Sequence, residues 1–302
     1  MNKIPLILDT DPGIDDALAI AVGTNLPQVD MKLITTVAGN IPIEKTTQNT
    51  LDLLALYQKD IPVAKGASKP LIKSLVLADN IHGNNGLGNV TLDKSNQSIC
   101  PKDAIDTMAQ VLEESTEKVT ITTIGPLTNL ALFIQTYPNL LNKIDRVIVM
   151  GGGLSMGNIT STSEFNFFVD PEAVNILFQS NLDITIIGLN ATSKAILTNK
   201  ELLPLKTGSK AQQALYQMFA FYQDGDFEKG LAMHDVSVFA YLDNPDMFTI
   251  KEMKLTISLD ELTRGALFHS NKVKYEGSLI KIATDLDTQA FIQWILPYLE
   301  KL

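Results

Sequence analysis

Four aspartates fall within eight residues near the start of the chain, immediately after an apolar run, in Leu6-Ile7-Leu8-Asp9-Thr10-Asp11-Pro12-Gly13-Ile14-Asp15-Asp16-Ala17. Ile4 to Leu8 reads as a short buried strand and Asp15 to Val22 as the start of a helix. Pro12-Gly13 forces the turn between them, because proline fixes φ and glycine permits positive φ. Carboxylates at the end of a strand and in the first turn of the next helix face one crevice, the place where open α/β sheets bind ligands. The helix dipole favours negative charge there. It does not offset the mutual repulsion of several close carboxylates, whereas a hard divalent cation with oxygen ligands does. The plainer alternative is a buried turn residue at Asp9 and a helix cap at Asp15-Asp16.

The chain has 302 residues, of which 45% are hydrophobic, enough for a large core. Its formal net charge is −10, with no basic runs. That balance argues against nucleic acid or an anionic membrane as partner. The single Cys100 excludes an internal disulfide and a cysteine-based metal site, and fits a reducing compartment. The first apolar run is too short for a secretory leader and is broken by aspartates. No apolar stretch approaches the ~20 residues needed to span a bilayer. The expectation is a soluble cytoplasmic protein.

Strands and helices alternate along the first two thirds of the chain. Strands are expected at Met31 to Ala38, Ile61 to Gly66, Val119 to Ile124, Val147 to Met150 and Asp183 to Gly188. Helices are expected at Ile43 to Lys59, Asp103 to Glu117 and Thr128 to Gln135, and from Asp170-Pro171 onward. Leu71 to Ala78 is ambiguous, and the glycine-rich Asp79 to Val90 reads as a loop. Asn199 to Tyr241 reads as mostly helical, Lys254 to Leu259 and Ser278 to Ala283 as late strands, and Asp285 to Leu299 as a closing helix with Phe291, Ile292 and Ile295 inward. The alternation implies a Rossmann-like α/β fold, with a mostly parallel central sheet flanked by helices, in one domain over residues 1–302.

Polar groups recur where the strands end: at Asn40, at Ile124-Gly125-Pro126 and from Met150 to Gly153. In a parallel sheet these ends share an edge with Asp9 to Asp16. The carbonyl of Ile124 is a candidate ligand for a hard cation. Asn158, Glu164 and Asn166 lie close together in a long loop, and two amides with a carboxylate suit the hydroxyls of a neutral polyol. His234-Asp235 follows a helical stretch, and an acidic neighbourhood is expected to raise the pKa of His234 and suit it to proton donation. His82 is the second such candidate, while His269 reads as a surface or structural residue.

These residues carry a resemblance. The motif Asp9-Thr10-Asp11-Pro12-Gly13-Ile14-Asp15-Asp16-Ala17 resembles that of the nucleoside hydrolases, also called inosine-uridine preferring nucleoside hydrolases. It is supported in order by Val37-Ala38-Gly39-Asn40, His82-Gly83, Gly125-Pro126-Leu127-Thr128-Asn129, Met150-Gly151-Gly152-Gly153, Glu164-Phe165-Asn166 with Asp170-Pro171-Glu172-Ala173, and His234-Asp235. The resemblance implies Ca²⁺-dependent hydrolysis of the N-glycosidic bond of ribonucleosides, by inverting attack of a metal-bound water. It implies Ca²⁺ held by Asp11, Asp16, Asp235 and the Ile124 carbonyl, with Asp11 as general base and Asp9 behind it. Asp15, Asn40, Asn158, Glu164, Asn166 and Asp235 would hold ribose hydroxyls. Met150 and Phe165 would line the sugar site, His234 would protonate the leaving base, and His82 would lie near that base. A homodimer or homotetramer is implied as well.

Within the family, histidine at position 234 goes with pyrimidine-preferring or non-specific members, while purine-specific ones place tryptophan around the base. The one tryptophan, Trp294, lies away from every matched motif. Two features depart from the pyrimidine pattern. Asp224 to Met233 contains Phe227 and no tyrosine hydroxyl, and Asn84-Asn85 replaces a more acidic stretch. Two alternatives stand beside this reading. Asp-x-Asp after a strand also resembles haloacid-dehalogenase-type phosphatases, although Gly13 stands where those expect Thr or Val. A non-catalytic nucleoside-binding protein on the same fold is the other.

Overall fold

The structure is a computed structural model, and it describes residues 3–223, 226–269 and 277–302. Among the described residues the first six strands run parallel to one another: β1 (Ile4–Thr10), β2 (Val29–Thr36), β3 (Val63–Lys65), β4 (Val119–Thr123), β5 (Ile144–Met150) and β6 (Ile184–Ile187). Two short strands, β7 (Ile196–Leu197) and β8 (Leu231–Ala232), form a separate antiparallel pair. β9 (Phe248–Ile257) and β10 (Leu267–His269) are antiparallel to each other, and β11 (Ser278–Leu286) joins β6 in parallel and β9 in antiparallel. Among the described residues the main sheet has the order β10-β9-β11-β6-β5-β4-β1-β2-β3. The direction of winding reverses between β1 and β4, so the crevice at their C-terminal ends is the switch point where such sheets bind ligands.

The strand sequences show why both faces are covered. Leu6 and Leu8 of β1 face one apolar cluster and Ile7 the other. In β5, Ile148 and Met150 face the first cluster, and Val147 and Val149 the second. This period of two is that of a strand buried on both sides. Helices α1 (Ile14–Gly23) and α2 (Ile43–Leu56) cover the first face, and residues of α10 (Lys210–Gln223), α11 (Ser237–Asp243) and α12 (Thr288–Lys301) join them there. Helices α4 (Ala104–Glu114), α5 (Thr128–Thr136) and α7 (Pro171–Phe178) cover the second. The remaining helices are short: α3 (Asp79–His82), α6 (Phe165–Val169), α8 (Leu189–Thr192) and α9 (Asn199–Leu202).

Several sequence expectations change at this level. Asp79 to Val90 is not wholly a loop, because α3 closes one helical turn with the His82 N–H on the Ala78 carbonyl. The ambiguous Leu71 to Ala78 forms neither helix nor strand, and its Leu71 N–H is tied to Asp170 at 3.0 Å. The helical stretch from Asn199 to Tyr241 is interrupted by β8, whose partner β7 lies before it in sequence. The strand expected at Lys254 begins earlier, at Phe248, because β11 pairs along its whole length. β10 went unpredicted, and His269 sits exposed on it. Ile292 is only partly buried, while Phe291, Ile295 and Leu299 carry the inward face of α12.

One buried side chain ties the crevice together. Asn129, at the start of α5, donates to Asp9 Oδ1 at 2.7 Å and to the Thr36 carbonyl at 2.9 Å, and accepts from the Ala67 N–H at 2.8 Å. It thereby joins the ends of β1, β2 and β3. Asn129→Ala removes three hydrogen bonds, leaving Asp9 Oδ1 with Thr35 and the Thr36 carbonyl with the Gly66 N–H, and is expected to cost about 2–3 kcal/mol, read as a lower urea midpoint at unchanged slope. A loss below about 1 kcal/mol contradicts this role.

Candidate active site

The four clustered aspartates do face the crevice, and the backbone explains how they tolerate one another. Asp16 accepts from the Thr10 hydroxyl at 2.5 Å and from the Gly13 N–H at 2.8 Å, which closes the first turn of α1. Asp11 Oδ2 accepts the Asn40 N–H at 2.7 Å. Asp9 accepts from Thr35 at 2.5 Å and from Asn129. Two glycines permit the close approach around Asp11. A Cβ on Gly39 would fall 2.1 Å from Asp11 Oδ2, and one on Gly125 2.6 Å from Oδ1. These are the glycines that end β2 and β4 in the sequence.

Asp9, Asp11 and Asp16 are fully buried, and Asp235 nearly so. Loss of hydration raises each of their pKa values, Asp9 to about 7. Charge from neighbouring carboxylates adds to the rise at Asp11, Asp16 and Asp235. Among the described residues, Asp11 Oδ1 and Asp9 Oδ2 are buried and find no hydrogen-bond partner. Carboxylate oxygens of Asp15, Asp16 and Asp235 lie within 4.8 Å of one another. An orphaned oxygen beside a cluster of hard donors fits a divalent cation such as Ca²⁺. The cluster includes Asp15, which the sequence reading gave to the sugar alone.

A cavity of about 340 Å³ opens onto this cluster. It brings together Asp15, Asn40, His82, Ile124, Met150, Asn158, Glu164, Phe165, Asn166, His234 and Asp235, and among the described residues no lysine or arginine lines it. Asp9, Asp11 and Asp16 sit beneath that lining. A larger groove of about 770 Å³ lies at the N-terminal edge of the sheet, bordered by Lys3, Asp30, Lys32 and Glu117, away from the buried carboxylates.

On one wall, Asn166 donates its amide N–H groups to the carbonyls of Ile124 at 3.0 Å and Met150 at 3.2 Å. Asn40 gives its own to the Asp11 carbonyl at 3.2 Å and to Asp16 at 3.3 Å. Among the described residues no protein donor reaches either side-chain carbonyl, so each amide offers an acceptor. Glu164 caps α6, taking N–H groups of Asn166, Phe167 and Gly152. Burial still raises its pKa to about 6. Asn158 is exposed at the rim and accepts the Phe165 N–H at 2.9 Å.

The histidines correct an expectation. The pKa of His234 is lowered, not raised, because burial outweighs the attraction of Asp15. His82 is lowered for the same first cause. Burial is a tertiary property that the local acidic sequence does not reveal. His82 Nδ1 accepts the Ile14 N–H at 3.1 Å, which leaves the ring proton on Nε2. His234 Nδ1 pairs with the Thr192 hydroxyl at 2.8 Å.

Sequence reasoning missed Tyr222. Its hydroxyl lies 3.1 Å from His82 Nδ1 and donates to Asp15 at 3.4 Å. It stands just before the Asp224 to Met233 segment, in which Asp224 and Gly225 lie outside the described residues. Its helical spacing from the buried Leu215 and Met218 was the available signal. Phe227 is buried edge-on against Tyr216, not in the cavity. Asn84 is exposed, and Asn85 staples its own loop through the Val90 carbonyl and the Leu87 and Asn89 N–H groups.

Residues 6–293 match the family model described as inosine-uridine preferring nucleoside hydrolase. The chain is 38% identical over 299 residues to the non-specific ribonucleoside hydrolase RihC of Escherichia coli (strain SMS-3-5 / SECEC), covering 97% of each. Its structure is similar to that of the plant nucleoside hydrolase PpNRh1, with a TM-score of 0.92 and 30% identity over 99% of both chains. It is also similar to the purine-preferring ribonucleoside hydrolase from Gardnerella vaginalis, with a TM-score of 0.89 and 28% identity over 99% of this chain and 100% of that one.

The cluster makes a signed prediction. Asp235→Asn removes a desolvated, repelled carboxylate, so in chelator the variant is expected to be more stable than the parent by roughly 1–2 kcal/mol. Added Ca²⁺ raises the melting temperature of the parent, since it binds the folded state, and leaves that of the variant unmoved. A parent protein indifferent to Ca²⁺ contradicts the cation centre.

Proposed function

The chain belongs to the inosine-uridine preferring nucleoside hydrolase family, enzymes that hydrolyse the N-glycosyl bond of nucleosides, and on that footing we propose that it cleaves ribonucleosides to ribose and free base with Ca²⁺ as cofactor. The lining of the cavity carries the proposal: it joins acidic and amide oxygens with two imidazoles and, among the described residues, has no lysine or arginine. Such a wall accepts hydrogen bonds from a neutral polyol and repels a phosphate ester.

Asp11, Asp16, Asp235 and the Ile124 carbonyl would hold the cation, with Asp15 at its edge and Asp9 supporting Asp11 from behind. The buried, unpartnered Asp11 Oδ1 supports that assignment. Bound there, Ca²⁺ supplies Lewis acidity that lowers the pKa of water. Asp11 takes the proton of the attacking water. Asp15, Asn40, Asn158, Glu164, Asn166 and Asp235 hold the ribose hydroxyls, with Met150 and Phe165 against the sugar. The surrounding carboxylates stabilise positive charge in an oxocarbenium-like transition state. His234 donates a proton toward the departing base. His82 presents Nε2–H near that base, with its orientation fixed by the Ile14 N–H on Nδ1. Attack opposite the base inverts the anomeric carbon, with no covalent intermediate.

We assign to the base the apolar part of the cavity lining, Leu77, Ile81, Ile159, Leu231 and Ala232. Apolar contacts of this kind discriminate weakly between bases. We therefore favour a non-specific enzyme over a strictly pyrimidine-preferring one, in keeping with the name of the RihC relative. The working form we propose is a cytoplasmic homodimer or homotetramer of one-domain subunits.

Two outcomes test the mechanism. His234→Ala is expected to lose about 10²–10⁴-fold in rate on uridine or inosine, where the base needs a proton, and far less on p-nitrophenyl riboside, where the leaving group does not. Equal losses on both substrates remove His234 from the acid role. Proton NMR of the first-formed ribose is expected to show the inverted anomer, and retention sinks the single-displacement scheme.

A further inference from the structure

The loop that carries Glu164 and Asn166 is braced from outside the cavity by the turn between β9 and β10. Ser163 donates its hydroxyl to the Arg264 carbonyl at 2.6 Å and forms an antiparallel bridge with Ala266. The Ser163 carbonyl accepts from the N–H groups of Asn158, Ile159 and Thr160, so the rim of the loop hangs on this residue. Arg264 is only 6% exposed. Its Nε donates to the Phe168 carbonyl at 3.1 Å and Nη2 to the Val169 carbonyl at 3.3 Å, at the far end of α6. Its two Nη groups grip Glu172 at 2.8 and 2.7 Å. Gly265 has φ +77°, and a Cβ there would lie 2.6 Å from Phe168 Cα. The backbone of the turn therefore rests directly on the backbone of α6. The other side of the turn is pinned to β9, through the Gly265 N–H on the Ser258 carbonyl and the Ser258 N–H on the Ala266 carbonyl.

A buried arginine needs its charge paired and its other donors satisfied. Here Glu172 meets the first need and the carbonyls of α6 the second. A guanidinium fork that spans a carboxylate and two carbonyls is not replaced by a lysine's point charge. α6 is thus fixed at its start by the Glu164 cap and at its end by Arg264. We propose that Arg264 is a positioning residue for ribose recognition: it touches no substrate, but by holding α6 it sets where Glu164 and Asn166 meet the sugar. This rests on the assignment of those two residues to the ribose made above.

The test compares the parent with Arg264→Lys, which keeps a cation beside Glu172 and loses the fork. Ser163→Ala, which removes the other tie without touching a charge, is the second variant. KM and kcat are measured for uridine and for 2′-, 3′- and 5′-deoxyuridine, and the Ca²⁺-induced rise in melting temperature reports an intact cation centre. In Arg264→Lys, KM for uridine is expected to rise about tenfold or more, since small misplacements from remote changes cost up to about 10². The penalty for deleting at least one hydroxyl shrinks in proportion, and the Ca²⁺ response is kept. Ser163→Ala shifts the same ratio more weakly, and carries the test if Arg264→Lys does not fold. A folded, Ca²⁺-responsive Arg264→Lys whose three uridine-to-deoxyuridine ratios stay within about twofold of the parent overturns the proposal. A parent that penalises none of the three deoxynucleosides instead overturns the ribose assignment itself, and the bracing role with it.

Discussion

Five carboxylates, Asp9, Asp11, Asp16, Glu164 and Asp235, are buried around one crevice, and none pairs with a lysine or arginine among the described residues. Most features of the site follow from that imbalance. Backbone N–H groups at the start of α1 and α6, the Thr10 and Thr35 hydroxyls and the Asn129 amide absorb part of the charge. Burial first, and then the charge that remains, raises the pKa values, and one oxygen of Asp11 is left without a partner among the described residues. A desolvated carboxylate in that position is costly alone and useful beside a cation.

The same imbalance separates the two ends of the cavity. Around Asp11 the groups sit on strand ends and the first turn of α1, elements locked by the sheet on either side. The wall assigned above to the ribose sits on α6 and the loop before it, and there the β9–β10 turn adds a brace from outside the cavity. Catalytic geometry tolerates little looseness, so a loop-borne site needs such external support. At the histidine end the charge problem is absent, and burial instead lowers the pKa of both imidazoles.

How far these roles were legible depended on their range along the chain. Asp9 to Asp16 was legible because strand, turn and helix are contiguous and their geometry is local. Asn40, Ile124 and Met150 were legible because a parallel sheet puts strand ends on one edge. Tyr222, Thr192, Asn129 and Arg264 were not, since each acts through a contact to a residue distant in sequence. The short strands β8 and β10 were missed because two or three residues carry no period. The sign of the His234 shift was misjudged because burial, the larger effect, appears only when helices close over the site. The catalytic division of labour rested on the family resemblance, which the comparisons then supported as to family.

The central claim is that the acidic crevice, loaded with a hard cation, hydrolyses the N-glycosidic bond. The direct measurement is the release of reducing ribose and free base from uridine, cytidine, inosine and adenosine, in Ca²⁺ and after chelation. The account predicts turnover of both pyrimidine and purine ribonucleosides, loss of turnover in chelator and recovery on adding Ca²⁺ back. Tight ribonucleoside binding with no ribose released in the presence of Ca²⁺ would contradict it.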